Sequence, residues 1–205
     1  MKDDPTRNYY ETHADEYFHA TYDADLQTLW EKLSKRLERG DYILDLGSGS
    51  GRDLRYFAER GFLVIGIDYS ANLVKLSRTY SEQPVVWGDF SSLPFEDDSF
   101  DAVWAIGSLL HTPRDSIFPV FREVHRVLKD DSYFLTAVKK GHGEIIDYWG
   151  RYSVFYSSDE WANIHIEGGF EVVDIEEMTE TRSTKSGCTN EITWIVCLAR
   201  AKRRQ

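Results

Sequence analysis

The stretch DYILDLGSGSGRDLRYFAERGFLVIGIDYS, residues 41–70, places a glycine-rich loop between two apolar runs. Gly47, Gly49 and Gly51 follow the first run, and Asp68 ends the second. Alternating glycines let the backbone turn tightly and approach a ligand closely, because no Cβ stands in the way. A carboxylate at the end of the second run can accept hydrogen bonds from ribose hydroxyls. The stretch therefore predicts a strand, loop, helix and strand that together bind a nucleoside.

The rest of the chain alternates between strand and helix patterns. Apolar residues recur at helical spacing from Leu26 to Leu37, and Gly40 follows as a helix stop. Further strands are predicted at 84–89, 100–107 and 132–138, and further helices at 70–80 and 115–129. This rhythm predicts right-handed crossovers and a parallel sheet with helices on both faces.

The end of the chain breaks this rhythm. Strand patterns at 170–178 and 191–201 are joined by a polar loop, 179–190, without a helix, so the two strands should pair antiparallel. We expect an α/β fold with a doubly wound Rossmann-like sheet, mainly parallel with a C-terminal antiparallel hairpin strand. One domain is expected over residues 1–205, with a helical leader and possible lid (1–40), a cofactor-binding core (41–140), and a substrate-side loop with the antiparallel hairpin (141–205).

Composition and charge argue against several classes of protein. The formal net charge of -11 repels phosphate backbones, which disfavours a broad nucleic-acid surface. The first residues, MKDDPTRNYY, lack the basic start and apolar run of a signal peptide, and no run is long enough to span a bilayer. Cys188 and Cys197 have no metal-type spacing and fit reduced thiols. We expect a cytoplasmic protein with no membrane or nucleic-acid partner, and a homodimer stays open.

The glycine loop departs from the patterns that bind pyrophosphate. A dinucleotide site needs G-x-G-x-x-G, but this loop reads G-x-G-x-G, with Arg52 in the place of the third dinucleotide glycine. A phosphate loop ends in Gly-Lys-Ser or Gly-Lys-Thr, which is also absent. Asp45 lies inside the first strand, where it can orient the loop or meet an ammonium group. These features favour a nucleoside with an amino-acid end.

With these residues the sequence resembles the class I S-adenosylmethionine-dependent methyltransferases, in particular the short single-domain type related to the ubiquinone-type methyltransferases. The segments similar to the first four motifs of that family are ILDLGSGSG (43–51), GIDYSANLVKLSR (66–78) and GDFSSLPFEDDSFDAVWA (88–105). FREVHRVLK (121–129) also matches, but Asp130 and Asp131 stand where the family usually has Pro-Gly-Gly. That departure concerns a turn, and the resemblance covers residues 42–138 well.

The resemblance implies S-adenosyl-L-methionine as the cofactor, S-adenosyl-L-homocysteine as its product, and a set of site residues. Each residue also has an ordinary structural explanation, as a turn or core residue. For the methionine end the resemblance implies Gly47, Gly49 and Gly51 with Asp45 and Ser48, and for the ribose Asp68 with Tyr69. For the adenine it implies Asp89 with Phe90, and for the place of the methyl group Ile106 and Gly107.

One histidine is a candidate for catalysis. His111 follows the fourth strand in GSLLHTPRD (107–115), near the expected methyl group. A side chain with a pKa near neutrality suits a general base, with packing of the pocket wall as the alternative role. No two histidines have the spacing of a metal site such as H-E-x-x-H, so no metal is expected.

Two aromatic-rich segments are candidates for binding the methyl acceptor. Residues 8–25 are the aromatic-rich part of the predicted leader, and residues 139–161 follow the fifth strand, where loops cover the mouth of such folds. Their aromatic and charged side chains suit a small, planar or cationic substrate, and packing against the hairpin is the alternative. The candidates are Tyr9, Tyr17, Tyr148, Arg151 and Tyr152, with Tyr10 as a further leader tyrosine.

We therefore expect a methyltransferase that moves a methyl group to O, N or S of a small molecule. Three alternatives stay open. The first is a nicotinamide-dependent oxidoreductase on a similar sheet, which the missing third glycine and the closing hairpin disfavour. The second is a cofactor-binding subunit without activity of its own. The third is a methyltransferase that acts on protein or RNA, which the acidic charge disfavours.

Overall fold

A computed structural model describes residues 4–183 and 189–203 of the chain, which form helices and strands in alternation. The α-helices are α1 (Pro5–Thr12), α2 (Ala14–Thr21), α3 (Gln27–Ser34), α4 (Arg52–Glu59), α5 (Ala71–Ser81), α6 (Ile117–Val127) and α7 (Ser158–Glu167). The strands are β1 (Tyr42–Leu46), β2 (Leu63–Asp68), β3 (Val85–Trp87), β4 (Phe100–Ile106), β5 (Leu128–Lys139), β6 (Glu144–Ile146), β7 (Tyr152–Val154), β8 (Phe170–Ser183) and β9 (Thr189–Ala201). Short 3-10 turns lie at Leu109–His111 and Arg114–Ser116. Within the described ranges, no helix has the length and apolarity to cross a bilayer.

Seven strands form one sheet in the order β3-β2-β1-β4-β5-β9-β8, and β6 and β7 form a separate antiparallel pair. Strands β1 to β5 pair in parallel, whereas β9 is antiparallel to both β5 and β8. This confirms the predicted fold: a doubly wound Rossmann-like sheet, mainly parallel, with a C-terminal antiparallel hairpin. The strand order reverses between β1 and β4, so the carboxyl ends of these two strands flank the crevice in which such sheets bind ligands.

Strand β1 is covered on both faces by helices. Leu44 and Leu46 belong to the apolar cluster that contains α6 residues, whereas Ile43 belongs to the cluster that contains α3 and α4 residues. Because side chains alternate along a strand, Asp45 shares the face of Ile43. Asp45 is only 2% exposed. An acid is therefore buried beneath α3 and α4, directly before the glycine loop.

The first part of the leader forms two helices, α1 and α2, which lie at the carboxyl end of the sheet. Asp4 caps α1 by accepting hydrogen bonds from the amides of Thr6 (2.9 Å) and Arg7 (3.2 Å). The carboxylate of Glu11 accepts a hydrogen bond of 2.7 Å from the hydroxyl of Ser70, at the start of α5. These contacts tie the leader to the loop that follows β2.

Three predicted boundaries of helices and strands are wrong. The α3 pattern was expected to run to Leu37, but the helix ends at Ser34, since the amides of Arg36 and Leu37 bond to carbonyls three residues back, at 3.0 and 3.2 Å. Such bonds belong to the tighter 3-10 geometry. The strand predicted from residue 132 begins at Leu128 instead, because Leu128 already pairs with Phe100 on β4. The helix before it therefore ends at Val127 rather than residue 129.

Two predicted loops contain regular structure. Most of the polar stretch 179–190 belongs to β8 and β9, where the hydroxyls of Thr179 and Thr193 meet across the strands at 3.0 Å. β-branched threonines favour strands even in a polar sequence. Cys188 lies outside the described residues. The segment 139–161 contains β6, β7 and the start of α7, which Ser157 caps together with the side chain of Glu160.

Candidate functional site

The three glycines of the loop after β1 have left-handed backbones, but their neighbours differ. Their φ angles are +91° at Gly47, +49° at Gly49 and +80° at Gly51, values that residues with a Cβ rarely adopt. A Cβ on Gly47 would lie 2.4 Å from the Cβ of Ser108. A Cβ on Gly51 would lie 2.8 Å from the carbonyl oxygen of Ser77. Gly51 therefore lets the loop pack on α5, and Gly47 lets it approach the segment after β4.

A cavity of about 660 Å³, here the first cavity, lies at the carboxyl ends of the parallel strands and beneath the leader. Cavities of this size accommodate ligands as large as a nucleoside. It contains most of the predicted cofactor residues. The predicted cofactor residues that line it are Gly47, Gly49, Asp68, Tyr69, Asp89, Phe90 and Gly107. The catalytic candidate His111 and the substrate-binding candidate Tyr17 line it too.

Asp68 links the glycine loop to the start of α5. Its Oδ2 accepts a hydrogen bond from the amide of Gly49, and its Oδ1 accepts one from the amide of Ser70, both at 2.9 Å. Burial raises the pKa of Asp68 above its usual value, although these backbone bonds oppose the shift. Each carboxylate oxygen has a second lone pair, so Asp68 can also accept hydrogen bonds from ligand hydroxyls in the first cavity.

Aromatic and acidic residues after β2 and β3 form the other end of the first cavity. Asp89 stabilises the turn that it begins, because its Oδ1 accepts hydrogen bonds from the amide and the hydroxyl of Ser91, both at 2.7 Å. The ring of Tyr69 stacks against Trp87 with centroids 6.1 Å apart. The guanidinium of Arg7, from the leader, lies 4.8 Å from the centroid of Tyr69. This end offers flat apolar surface and a carboxylate, as an adenine ring requires.

A second cavity of about 370 Å³ lies beside the first, and much of its wall comes from the leader and from strands β5 to β9. It combines apolar and charged side chains, as sites for small molecules do. The apolar residues are Leu26, Leu29, Ile106, Leu110, Ala137, Met178, Trp194 and Val196. The charged residues are Asp25, Arg52, Lys139, Arg151 and Glu180.

Four residues, Tyr10, Tyr17, Gly107 and His111, line both cavities and form what we call the junction. Nε2 of His111 lies 2.9 Å from the Tyr10 hydroxyl, and Nδ1 lies 2.6 Å from the carbonyl oxygen of Tyr152. Because a carbonyl only accepts hydrogen bonds, Nδ1 carries the proton and Nε2 accepts from Tyr10. Burial lowers the pKa of His111 to about 4, so the ring is neutral near pH 7.

Two buried acids lie behind the glycine loop in different environments. Asp53 accepts hydrogen bonds from the indoles of Trp30 (2.7 Å) and Trp104 (3.0 Å) and from two nitrogens of Arg52 (2.9 and 2.8 Å). By contrast, Oδ2 of Asp45 has no hydrogen-bond partner within the described part of the chain. Burial, followed by the charge of Asp53, raises the pKa of Asp45 well above its usual value. Asp53 thus accepts four hydrogen bonds, whereas the site of Asp45 favours the neutral acid.

Some predicted site residues line neither cavity. Tyr148 is 93% exposed, and Tyr9 stacks on His13 with ring centroids 4.5 Å apart. Tyr152 contacts the junction through its backbone carbonyl, which accepts a hydrogen bond from His111. Ile106 and Arg151 line the second cavity alone. The predicted residues outside both cavities are Asp45, Ser48, Gly51, Tyr9, Tyr148 and Tyr152.

Sequence reasoning missed most of the second cavity. Lys139, Met178 and Trp194 come together across three strands, and Tyr10 meets His111 from 101 positions away. No local sequence pattern predicts contacts between residues so far apart in the chain. The available signals were the candidates Tyr10, Tyr17, His111 and Arg151, which line this cavity. Arg52 was a further signal, because it stands where a dinucleotide loop would have its third glycine. Among residues 4–183 and 189–203, no three His, Cys, Asp or Glu side chains are grouped to hold a metal ion.

The middle of the chain is similar to known proteins. Residues 44–136 match the family described as Methyltransferase domain. An uncharacterized protein of Methanocaldococcus jannaschii is 35% identical over 109 residues, which are 53% of this chain and 41% of that protein. Botryococcene C-methyltransferase of Botryococcus braunii is 37% identical over 109 residues, 49% of this chain and 28% of that enzyme. The chain therefore spans less than half the length of these curated relatives.

A solved structure shares the fold over nearly the whole chain. It is the Burkholderia thailandensis 1,6-didemethyltoxoflavin-N1-methyltransferase with bound 1,6-didemethyltoxoflavin and S-adenosylhomocysteine, with a TM-score of 0.73 and 22% identity. The alignment covers 96% of this chain and 88% of that one. Residues 44–136, less than half of the chain, are thus similar to the family described as Methyltransferase domain, and the chain has the fold of this N1-methyltransferase.

Proposed function

We propose that this protein is an enzyme that transfers a methyl group from S-adenosyl-L-methionine to a small molecule. The observation that carries this proposal is the pair of cavities that meet at the junction. The first cavity has the glycine loop and carboxylates expected of a nucleoside site. The second has an apolar and charged wall from other parts of the chain. Group transfer between two bound molecules needs adjoining sites of this kind, because the reacting atoms must be held close and aligned.

The first cavity fits the cofactor in its chemistry. The hydroxyl of Ser108, in its wall, has no hydrogen-bond partner within the described part of the chain and is available to a polar ligand. We assign the methionine end to the glycine loop, the ribose to Asp68, and the adenine to Asp89 and Phe90. When bound, the cofactor supplies an electrophilic methyl group on a sulfonium centre, so the protein must mainly align the acceptor and exclude water. Gly107, at the junction, marks the expected place of transfer.

The junction also supplies a proton acceptor. His111 is neutral, and its Nε2 already accepts the hydroxyl proton of Tyr10. A proton released by an acceptor molecule therefore passes to the Tyr10 oxygen while the Tyr10 proton moves to Nε2. The carbonyl of Tyr152 then stabilises the imidazolium through Nδ1. With a pKa of about 4, His111 is a weak base, which suits an acceptor that loses its proton late in the reaction.

We propose a small-molecule acceptor because the second cavity holds only about 370 Å³ and the chain has a net charge of -11. Oxygen, nitrogen and sulfur are candidate acceptor atoms. One relative is named as a C-methyltransferase and the structural neighbour as an N1-methyltransferase, so carbon joins these candidates. A cytoplasmic location stays a proposal supported by the low cysteine content, and a homodimer stays open.

The proposal is tested by binding and then by transfer. Calorimetric titrations with S-adenosylmethionine, S-adenosylhomocysteine and NADH should show roughly micromolar binding of the two sulfur nucleosides and none of NADH. Tritiated methyl transfer to a panel of phenols, amines, thiols and enols should then identify the acceptor atom. Binding of NADH alone would point to hydride transfer. Binding of the sulfur nucleosides without transfer to any panel member would point to a non-catalytic subunit.

A further inference from the structure

Trp194 lies in the second cavity, beside the expected place of methyl transfer. It belongs to β9, is half-buried, and packs against both apolar clusters of the core. A Cβ on Gly107 would lie 3.6 Å from Cη2 and 3.8 Å from Cζ3 of the Trp194 ring. These are ordinary van der Waals distances. The benzene edge of the indole therefore borders the junction, where an acceptor atom must meet the methyl group.

The surroundings of Trp194 differ from those of the other five tryptophans. Over the described residues, each of the five packs against another aromatic ring, whereas Trp194 packs against none. The pairs are Trp30 with Tyr56, Trp87 with Tyr69, Trp104 with Phe57, Trp149 with Tyr148, and Trp161 with Tyr156. Trp194 thus offers the second cavity an aromatic surface that no ring of the described chain occupies.

The neighbouring strands hold the indole of Trp194 in place. Its Nε1 donates a hydrogen bond of 2.8 Å to Oε1 of Glu180 on β8. Directly opposite Trp194 stand Met178 on β8 and Lys139 on β5, and residues paired in this way share one face of the sheet. A ring that is held by strands on both sides loses little freedom when a ligand binds, so this surface is preorganised.

The charges around Trp194 decide between a neutral and a cationic ligand. Tryptophan binds neutral flat rings by stacking and cations through its π-electrons. The ammonium group of Lys139 already lies 6.0 Å from the centroid of the ring, and it repels a second cation there. The hydrogen bond from Nε1 places the carboxylate of Glu180 at the edge of the indole rather than over its face. A neutral flat ring is therefore the favoured ligand of this surface.

We propose that Trp194 is the stacking platform for the methyl acceptor, and that the acceptor is a neutral, planar aromatic or heteroaromatic ring. This deepens the proposed function and rests on it. A ring stacked on Trp194 lies next to Gly107 and directs a substituent or a ring atom toward the junction. Tyr10 and His111 border that same place. Trp194 would thus select the acceptor by its shape and hold it beside the methyl group.

The test compares three probes by calorimetric titration into protein that is saturated with S-adenosylhomocysteine. The first probe, 2-naphthol, is flat and neutral. The second, decahydro-2-naphthol, keeps the hydroxyl but is not flat, and the third, N-methylquinolinium, is flat and cationic. The variants are Trp194→Leu, which removes the ring, Trp194→Phe, which keeps a smaller ring, and Lys139→Gln, which removes the cation. Trp149→Leu is the matched control, since Trp149 is 55% exposed and lines neither cavity.

The platform predicts a distinct pattern of affinities. The wild type binds 2-naphthol about 5-fold or more tightly than either other probe. Trp194→Leu weakens 2-naphthol by about 10-fold or more and Trp194→Phe by a smaller factor, whereas Trp149→Leu binds it like the wild type. Lys139→Gln binds N-methylquinolinium about 5-fold or more tightly than the wild type does, because the repulsion is gone.

Other patterns would overturn the platform. They are absent binding of 2-naphthol to the wild type, equal binding of the flat and the hydrogenated probe, a preference of the wild type for the cation, and equal binding of 2-naphthol to the wild type and Trp194→Leu. The comparison of probes on the wild type and Trp194→Phe decides the question even if Trp194→Leu does not fold. Failure of the wild type to bind S-adenosylhomocysteine would instead contradict the proposed function.

Discussion

The matched core, residues 44–136, and the segments around it build binding surfaces in two different ways. In the core, the groups that face the first cavity sit at strand ends, as Gly47, Asp68 and Asp89 do. Around it, the second cavity is assembled from side chains of the leader and the antiparallel strands, such as Tyr10 and Trp194. Topology fixes the first kind of site, whereas packing between distant segments fixes the second. A cofactor can therefore be inferred from local motifs, and an acceptor cannot.

The largest expected effect is a loss of cofactor affinity when Asp68 is replaced. Replacing Asp68 with Ala removes the link between the amides of Gly49 and Ser70 and the acceptor for ribose hydroxyls. We expect S-adenosylhomocysteine affinity to fall by about 100-fold or more, because several hydrogen bonds to a charged group are lost together. Calorimetry measures the change. Asp159→Ala, at an exposed acid outside both cavities, is the control. Equal affinity of Asp68→Ala and wild type would contradict the assignment of the first cavity.

The glycine loop offers a second test, on stability. Gly47 and Gly40 have similar φ angles, +91° and +95°, but only at Gly47 would a Cβ collide with a neighbour; nothing lies within 4 Å at Gly40. We expect Gly40→Ala to cost about 1 to 2 kcal/mol, the strain of a left-handed backbone. Gly47→Ala should cost about 2 to 5 kcal/mol, because overpacking against Ser108 adds to that strain. Urea unfolding measures both. Equal costs would show that the loop does not pack as closely as described.

A third test uses the pH dependence of stability to compare His111, at the junction, with His165, in the core. Burial lowers the pKa of both His111 and His165 to about 4. In the unfolded chain a histidine titrates near 6.5, so the unfolded state binds more protons between about pH 6.5 and 4, and stability is lost as the pH falls through that window. Each histidine should account for about 2 kcal/mol of the loss by pH 4.5.

Urea unfolding at pH 7.5 and pH 4.5 checks this expectation. His111→Gln and His165→Gln should each lose less stability than the wild type between the two values. Only His111→Gln should also lower methyl transfer, since His165 bonds to the carbonyl of Trp161 and lies outside both cavities. An unchanged pH dependence in His111→Gln would mean that this ring is not buried in neutral form.

The smallest effect concerns the contact of the leader with the core. Tyr10→Phe removes the hydroxyl that donates to His111 and leaves the aromatic packing against Tyr17. We expect a loss of about 1 kcal/mol in stability and faster amide exchange in α1. Tyr148→Phe, at a side chain that is 93% exposed, should change neither. Unchanged exchange in Tyr10→Phe would show that the leader is held by other contacts alone.

The fold could be predicted because its signals are local. Each buried parallel strand is a short apolar run, and each crossover helix carries an apolar stripe, so the order of elements follows from the sequence. The errors fall where tertiary pairing overrides local pattern. Thr179 and its neighbours look like a polar loop, but pairing with β9 extends the strand through them. The sequence around Leu128 is typical of the end of a helix, but Leu128 pairs with Phe100 and therefore belongs to the sheet.

The residues of the candidate site also differ in whether local sequence could predict them. Asp68, Asp89 and the glycine loop were placed near a nucleoside from motif positions, and the structure brings them to one cavity. Tyr148 was chosen for its aromatic ring, but it lies on an exposed hairpin tip. Trp194 was not chosen, because its position in the second cavity depends on a strand register that no short motif encodes.

The central claim is that the methyl group is transferred at the junction of the two cavities. A crystal structure of the protein with S-adenosylhomocysteine tests it most directly. We predict that the adenine lies against Asp89 and Phe90, the ribose on Asp68, and the sulfur at the junction beside Gly107, directed toward Tyr10 and His111. A nucleoside bound in the second cavity, or a sulfur directed away from Tyr10 and His111, would contradict the claim.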